Sequence, residues 1–100
     1  MNAAWVIIIL KKLFIINEIN QIPNGLCGVY YLYNKNREMI YIGKSNNISN
    51  RIKTHIRLNY KNFKNFFYSF NYHRTPDELT ALLLESKEIK FYKPLFNKKL

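Results

Sequence analysis

The fold is decided by one stretch of the chain, residues 27–43, which reads CGVYYLYNKNREMIYIG. Its first seven residues are rich in valine, leucine and tyrosine, which favour β-strands. Asn34-Lys35-Asn36 has the composition of a hairpin turn, and a second apolar run over residues 39–42 ends at Gly43. A residue without Cβ lets the backbone turn sharply or approach a ligand there. The stretch therefore predicts a β-hairpin.

Downstream of the hairpin the apolar pattern changes from a strand to a helix. Ile48, Ile52 and Ile56 recur every four residues, and Asn46 or Asn47 can cap the N-terminus of the helix that they predict. Residues 66–72 are largely aromatic and predict a third strand.

A second helix is predicted from its end signals. Thr75-Pro76-Asp77-Glu78 combines a capping box with a proline at the first helical position. The helix is expected to continue to about Tyr92, because Pro94 cannot continue it.

The element order gives the fold class. Residues 21–100 are predicted to form an α/β (α+β) domain with a small three-stranded, mainly antiparallel sheet flanked by helices, in the order β-β-α-β-α. Residues 1–20 are predicted to be an N-terminal extension with a loose helical stripe. A chain of 100 residues has room for one such domain.

The charge of the chain indicates a polyanionic partner. Sixteen Lys and Arg residues against six Asp and Glu residues give a formal charge of +10, which repels itself unless a polyanion is bound. Nucleic acid is the first candidate. An A/T-rich genome also raises the content of Lys, Asn and Ile, so charge alone leaves this partner open.

Several classes of protein are excluded. Cys27 is the single cysteine, so the chain has no intramolecular disulfide and no cysteine-based zinc site, and a reducing, cytoplasmic location is expected. The apolar run at residues 3–10 is interrupted by Lys11 and Lys12, well short of the roughly 20 residues that span a bilayer. Its charges do not precede it as in a signal peptide. No membrane partner is expected.

Two groups of side chains could carry chemistry. Arg51 and His55 are four residues apart and share one helix face, where a cation and a proton carrier could meet one phosphate. Glu85 lies at the border of the apolar stripe of the second helix, whereas Glu88 is expected to point further outward and be hydrated. The alternatives are solvated polar residues on the first helix and an ordinary boundary salt bridge on the second. One carboxylate favours a magnesium-like ion held mainly by water and phosphates.

Taken in order, these segments resemble one known family. They are Gly28-Val29-Tyr30, Tyr41-Ile42-Gly43, residues 44–51 with His55, residues 82–90, and Pro94-Leu95-Phe96-Asn97. This set resembles the GIY-YIG nuclease family, with valine in place of the first isoleucine. The resemblance is closest to the nuclease domain of the bacterial excision-repair incision protein and to similar domains attached to DNA polymerase proofreading exonucleases.

The resemblance implies metal-dependent hydrolysis of a DNA phosphodiester bond in DNA repair, recombination or mobile-element processing. It implies that Glu85 holds one divalent ion, Mg²⁺ or Mn²⁺, that Arg51 steadies the scissile phosphate, and that Tyr41 is the general base. Neutral phenols are weak bases, so Tyr41 would need help from Lys44 or the ion. The further residues expected to support catalysis or bind substrate are Tyr30, His55, Lys44, Lys53, Arg57 and Asn97, the last by locking the C-terminal element against the site.

The expected partners are DNA at the nucleoid and a larger repair or replication protein from which the domain derives, with no small-molecule cofactor. Two alternatives stay open. One is a non-catalytic DNA-binding module that keeps the fold, and the other is a small basic RNA-binding protein, for which the charge suffices but the ordered motif is unexplained.

Overall fold

The computed structural model describes residues 12–59 and 66–97, which form one four-stranded antiparallel sheet with a helix on each face. The strand order is β1-β4-β2-β3. The strands are β1 Phe14–Ile15, β2 Gly28–Tyr33, β3 Met39–Ser45 and β4 Ser69–Arg74. The predicted fold class is confirmed. The predicted third strand, β4, begins three residues later than expected, and β1 is an additional strand.

The first described residues belong to the sheet. Phe14 pairs with Phe70 of β4, and a 3-10 turn, Ile16–Gln21, follows β1 directly. Phe14, Ile16 and Ile19 pack against the core. The helical stripe predicted over residues 1–20 is therefore wrong at Phe14–Ile15, which is a strand, and its first eleven residues lie outside the described ranges.

The helix α1, Ile48–Asn59, covers one face of the sheet. Ile48 and Ile52 are completely buried, and the half-buried Ile56 packs beside them, as the four-residue period predicts. Asn47 is the cap, because its side-chain oxygen accepts the backbone N–H of Asn50 at 3.3 Å. This core also contains Tyr30, Leu32, Ile40, Phe67 and Phe70.

The helix α2, Glu78–Tyr92, covers the opposite face, where Val29, Tyr31 and Ile42 are buried with Ala81. Its N-cap is Asp77, whose carboxylate accepts the Thr80 backbone N–H at 2.7 Å. The predicted capping box at Thr75 is wrong, because Thr75 is buried and its hydroxyl donates to the Asp77 carbonyl. Pro76 thus precedes the cap.

The C-terminal end of α2 lies where the sequence predicts it. Lys93 adopts a left-handed conformation with φ 49°, which ends the helix before Pro94. A 3-10 turn, Leu95–Asn97, then returns the chain to β3. None of the helices within residues 12–59 and 66–97 is long and apolar enough to cross a membrane.

Candidate active site

Tyr30 and His55 meet between β2 and α1. The Tyr30 side chain is 1% exposed and projects from the sheet face that α1 covers. Its hydroxyl lies 2.9 Å from Nε2 of His55, a hydrogen-bond distance. The buried Ile48 and Ile52 fix the rotation of α1, and this rotation holds the imidazole over the sheet.

Gly43 makes room for the Tyr30 ring. The two residues are cross-strand partners in the β2–β3 ladder. A Cβ on Gly43 would lie 2.4 Å from both Cζ and Oη of Tyr30, closer than van der Waals contact allows. The close approach predicted at this glycine is thus made by a side chain of the same chain, and the phenol crosses over the backbone of β3.

Tyr41 joins the same cluster because it lies two residues before Gly43 on β3 and therefore on the same face of the strand. Leu32 pairs with Tyr41 and the next residue, Tyr33, pairs with Met39, so Ile40 is a bulge without a partner in the ladder. Ile40 and Tyr41 both pack on the α1 side as a result. The Tyr41 ring centroid lies 6.1 Å from that of Tyr30 and 5.3 Å from that of His55. We call Tyr30, Tyr41 and His55 the aromatic cluster.

The protonation of the aromatic cluster follows from burial and one cation. Burial raises the pKa of the Tyr30 phenol, the Tyr41 hydroxyl adds to this, and the Arg51 guanidinium opposes it. Burial, and then the positive charge of Arg51, lower the pKa of His55 to about 4. At neutral pH the Tyr30 and His55 rings are therefore uncharged, and the positive charge beside them is carried by the exposed Arg51.

Asn97 ties the C-terminal turn to β3. Its side-chain oxygen accepts the backbone N–H of Ile42 and its amide nitrogen donates to the Ile42 carbonyl, both at 2.7 Å. Ile42 lies between Tyr41 and Gly43 of the site, on a strand whose outer edge would otherwise be open. Both ends of the amide bond to Ile42, so Asn97 holds the strand in position, as the resemblance implies.

The other predicted basic residues lie apart from the aromatic cluster. Lys44 is exposed on β3 and pairs with Val29, whose side chain faces α2. At about 100° per residue, Lys53 and Arg57 lie on the flank of α1 away from Arg51. Arg57 donates to Thr54 at 3.1 Å. These three cations extend the positive surface but are not joined to the cluster by any hydrogen bond in the described ranges.

The two glutamates of α2 are both half-buried, Glu85 as the sequence predicts and Glu88 contrary to it. Glu88 accepts a hydrogen bond from the hydroxyl of Tyr31, which is 6% exposed, so the expectation that Glu88 points outward is wrong. Glu85 is half-buried, and among residues 12–59 and 66–97 it has no hydrogen bond or ion pair. It is a partly dehydrated carboxylate that the protein itself does not neutralise.

The structure thus brings together four of the predicted residues: Tyr30, Tyr41, His55 and Arg51. Glu85 stands on the helix of the opposite face and belongs to none of these contacts. Two features of the structure are not predicted by the sequence: the Tyr31–Glu88 hydrogen bond and the bulge at Ile40. Tyr31 and Glu88 lie on different elements, and the spacing of neither residue in the sequence indicates that they form a pair.

Comparison with known proteins gives concordant matches. The UvrC-like GIY-YIG domain family matches residues 26–98. UvrABC system protein C of Rickettsia felis is 36% identical over 76 residues, which cover 71% of this chain and 12% of that protein. The same protein of Shewanella frigidimarina is 35% identical over 75 residues, covering 70% and 12%. The chain therefore spans about 12% of the length of these curated relatives.

Solved structures match the fold. The GIY-YIG N-terminal endonuclease domain of UvrC from Thermotoga maritima, bound to its catalytic magnesium, is 27% identical with a TM-score of 0.61. A tyrosine-to-phenylalanine variant of that domain, bound to its catalytic divalent cation, is 28% identical with a TM-score of 0.67. Both matches cover 82% of this chain and 93% of the other.

Proposed function

On the premise that this chain belongs to the UvrC-like GIY-YIG domain family, homologous to the UvrC endonuclease domain, we propose that it is a metal-dependent DNA endonuclease that hydrolyses a phosphodiester bond. We place its action in DNA repair, recombination or mobile-element processing, at the bacterial nucleoid in the cytoplasm. The observation that carries the proposal is the aromatic cluster of Tyr30, Tyr41 and His55 beside the Arg51 guanidinium.

Arg51 is proposed to bind the scissile phosphate. It is exposed, and the uncharged rings beside it do not neutralise its charge. Hydrolysis of a phosphodiester places additional negative charge on the phosphate oxygens in the transition state, which a fixed guanidinium stabilises. Arg51 therefore both holds the substrate and lowers the barrier.

Tyr41 is proposed to relay the proton of the attacking water, accepting it while its own hydroxyl proton passes to solvent in the adjoining cleft. The raised pKa of Tyr30 keeps that phenol protonated, so Tyr30 can orient a group by hydrogen bonding but is a poor proton acceptor. His55 is uncharged at neutral pH and already lies against Tyr30, which holds both rings in place. Tyr41 is half-buried and has one side open to the adjoining cleft.

Glu85 is proposed to hold one Mg²⁺ or Mn²⁺ ion. Magnesium is bound in many nucleotide-processing sites by one or two carboxylates, with water and phosphate oxygens as the other ligands. A half-buried carboxylate without a protein partner fits that requirement. No group of three or more His, Cys, Asp or Glu residues in the described part of the chain could form a cage for a metal. When bound, such an ion supplies Lewis acidity and lowers the pKa of a coordinated water.

DNA is the proposed substrate, and a larger repair or replication protein is the proposed context of the domain. Within residues 12–59 and 66–97 the one ion pair is Lys12–Glu18, at 3.6 Å. The other described lysines and arginines are therefore available to phosphates. Binding should weaken steeply with salt, because each neutralised phosphate releases counterions.

The test is cleavage of supercoiled, nicked and branched DNA with Mg²⁺, with Mn²⁺ and with a chelator. Glu85→Gln and Arg51→Ala are expected to lower kcat by about 100-fold or more, as the loss of one transition-state contact does. Glu78→Gln, an exposed carboxylate on the first turn of α2, and Lys35→Ala, in the hairpin turn, are the matched controls and should cut as the unmodified protein does.

Two outcomes would overturn the proposal. Cutting that persists in the chelator would show that the activity does not depend on a divalent metal. Cutting that persists in both site variants would show that it does not depend on Glu85 or Arg51. A gel shift on DNA without cutting under any metal would favour the non-catalytic DNA-binding module instead.

A further inference from the structure

A cleft of about 270 Å³ opens next to the aromatic cluster. It lies between the C-terminal end of α1 and the C-terminal turn, and it shares Tyr41 and His55 with the proposed active site. Its other walls include Leu58, Asn59, Phe67 and Phe96. A group that enters the cleft therefore touches the same two rings as the reacting phosphate would.

The walls of the cleft offer flat apolar surfaces and few free polar groups. The Asn59 side chain is bonded to the Phe67 backbone: its amide nitrogen donates to the carbonyl at 3.1 Å, and its oxygen accepts the N–H at 3.2 Å. His55 Nε2 is engaged with the Tyr30 hydroxyl. The cleft therefore suits a planar ring bound by stacking and van der Waals contact, and it does not suit an ion.

Two large apolar side chains at the cleft remain in contact with solvent. Leu58 is 49% exposed and Phe96 is 36% exposed. Both would lose water-accessible apolar surface when a ring fills the cleft, which favours binding. The volume is slightly below the roughly 300–1,000 Å³ of pockets for drug-sized ligands, so the occupant has one or two fused rings.

We propose that this cleft binds an unpaired nucleobase of the nucleotide next to the scissile phosphate. The inference rests on the proposed function, since it takes Arg51 as the phosphate ligand. Arg51, His55 and Leu58 follow one another on the same side of α1, and at 1.5 Å per residue Leu58 lies about 10 Å along the axis from Arg51. One nucleotide spans that distance from its phosphate to its base. Aromatic side chains that stack on bases are a general means of binding unpaired nucleic acid.

This cleft would also select the substrate. A base that is paired and stacked in a duplex cannot enter it without being extruded, which costs a few kcal/mol and least at a mismatched or unpaired position. The preferred substrate is therefore DNA with an unpaired base beside the cleavage position, as in a bubble, a flap or a damaged site. The alternative occupant is an apolar side chain of a neighbouring protein domain, which unchanged fluorescence would favour.

The experiment uses a set of DNA bubbles in which each unpaired base in turn is replaced by 2-aminopurine, whose fluorescence reports stacking. Binding of the bubble to the Glu85→Gln protein should change this fluorescence, and the fully paired duplex should not show the change. Adding Leu58→Ala should weaken binding of the bubble by about fivefold, the effect of losing most of one apolar side-chain contact. Leu83→Ala, which removes a leucine that is 63% exposed on α2 away from the cleft, is the matched control.

Fluorescence and cleavage decide two different questions. Unchanged fluorescence, or equal binding by the Leu58 and Leu83 variants, overturns the base site even if the unmodified protein cuts the bubble; an apolar protein segment would then be the occupant. Fluorescence that depends on Leu58, without cleavage under any metal, supports the base site and overturns the endonuclease. Replacing the probe by an abasic nucleotide should remove the preference of the unmodified protein for cutting the bubble over the duplex.

Discussion

The phenol of Tyr30 lies directly over the backbone of Gly43, with 2.4 Å between its Oη and the position that a Cβ on Gly43 would occupy. The contact couples two residues that lie on neighbouring strands and belong to separate sequence motifs. It explains the need for glycine at this position through packing, independently of any ligand.

Gly43→Ala should therefore displace the Tyr30 ring and destabilise the fold by about 1–3 kcal/mol, the usual cost of overpacking a core. Chemical denaturation measures this change. The double variant Tyr30→Val with Gly43→Ala tests the cause, because without the phenol the added methyl group has nothing to displace. If the loss of stability in the double variant equalled the sum of the losses in the two single variants, the contact between Tyr30 and Gly43 would not be the cause.

Stability should depend on the protonation of His55. Its pKa is about 4 in the folded chain and 6.5 in a free histidine, so the unfolded chain binds more protons between these values. The free energy of unfolding should then fall as pH is lowered from about 6.5 to about 4, and the penalty is complete below pH 4. His55→Gln should flatten this dependence in denaturation curves measured across the range.

His73→Gln is the control for this dependence, because His73 is exposed on β4. It should leave the pH profile of the unmodified protein unchanged. An equal flattening by both substitutions would assign the dependence to other groups.

Asn97 should protect the backbone of Ile42 from solvent. Asn97→Ala removes two hydrogen bonds at 2.7 Å and should cost about 1–3 kcal/mol, with faster hydrogen exchange concentrated at the Ile42 amide. The neighbouring amides that pair with β2 serve as internal references. If the Ile42 amide exchanged no faster in the variant, the side-chain contact would not be what protects it.

Tyr31→Phe should destabilise the protein by about 1.5–3 kcal/mol, because a hydrogen bond to a carboxylate is lost and the half-buried Glu88 is left without it. Thermal unfolding provides the measurement. Glu88→Gln tests the contribution of the charge on the carboxylate, because it keeps the shape of the side chain and removes its charge. A Tyr31→Phe variant as stable as the unmodified protein would mean that water replaces the bond without loss.

The sequence predicts most of the fold because its patterns have a clear period. The β-favouring composition and turn residues of the hairpin predict two paired strands, and the four-residue repeat of Ile48 and Ile52 predicts a helix with one buried side. The motif residues Tyr30, Tyr41, Arg51 and His55 then meet as expected. By contrast, β1 has two residues, which is too short to show any period.

The error at Glu88 has a physical cause in α2. Apolar residues surround this helix, and Leu79 and Leu83 are 65% and 63% exposed, so the sequence does not indicate which side is buried. The centre of the buried side of α2 is Ala81, which is 1% exposed. At 100° per residue, Glu88 lies only about 20° around the helix from Ala81. The bulge at Ile40 cannot be predicted from the sequence of β3 alone, because it is defined by the pairing of β3 with β2.

The bond between Asn97 and Ile42 joins residues 55 positions apart, so the strand that carries Tyr41 and Gly43 is completed late in synthesis. Until Asn97 has left the ribosome, the outer backbone of β3 is open to pairing with another chain. The last described turn of the domain therefore covers part of the open edge of β3, beside the residues proposed to carry the reaction.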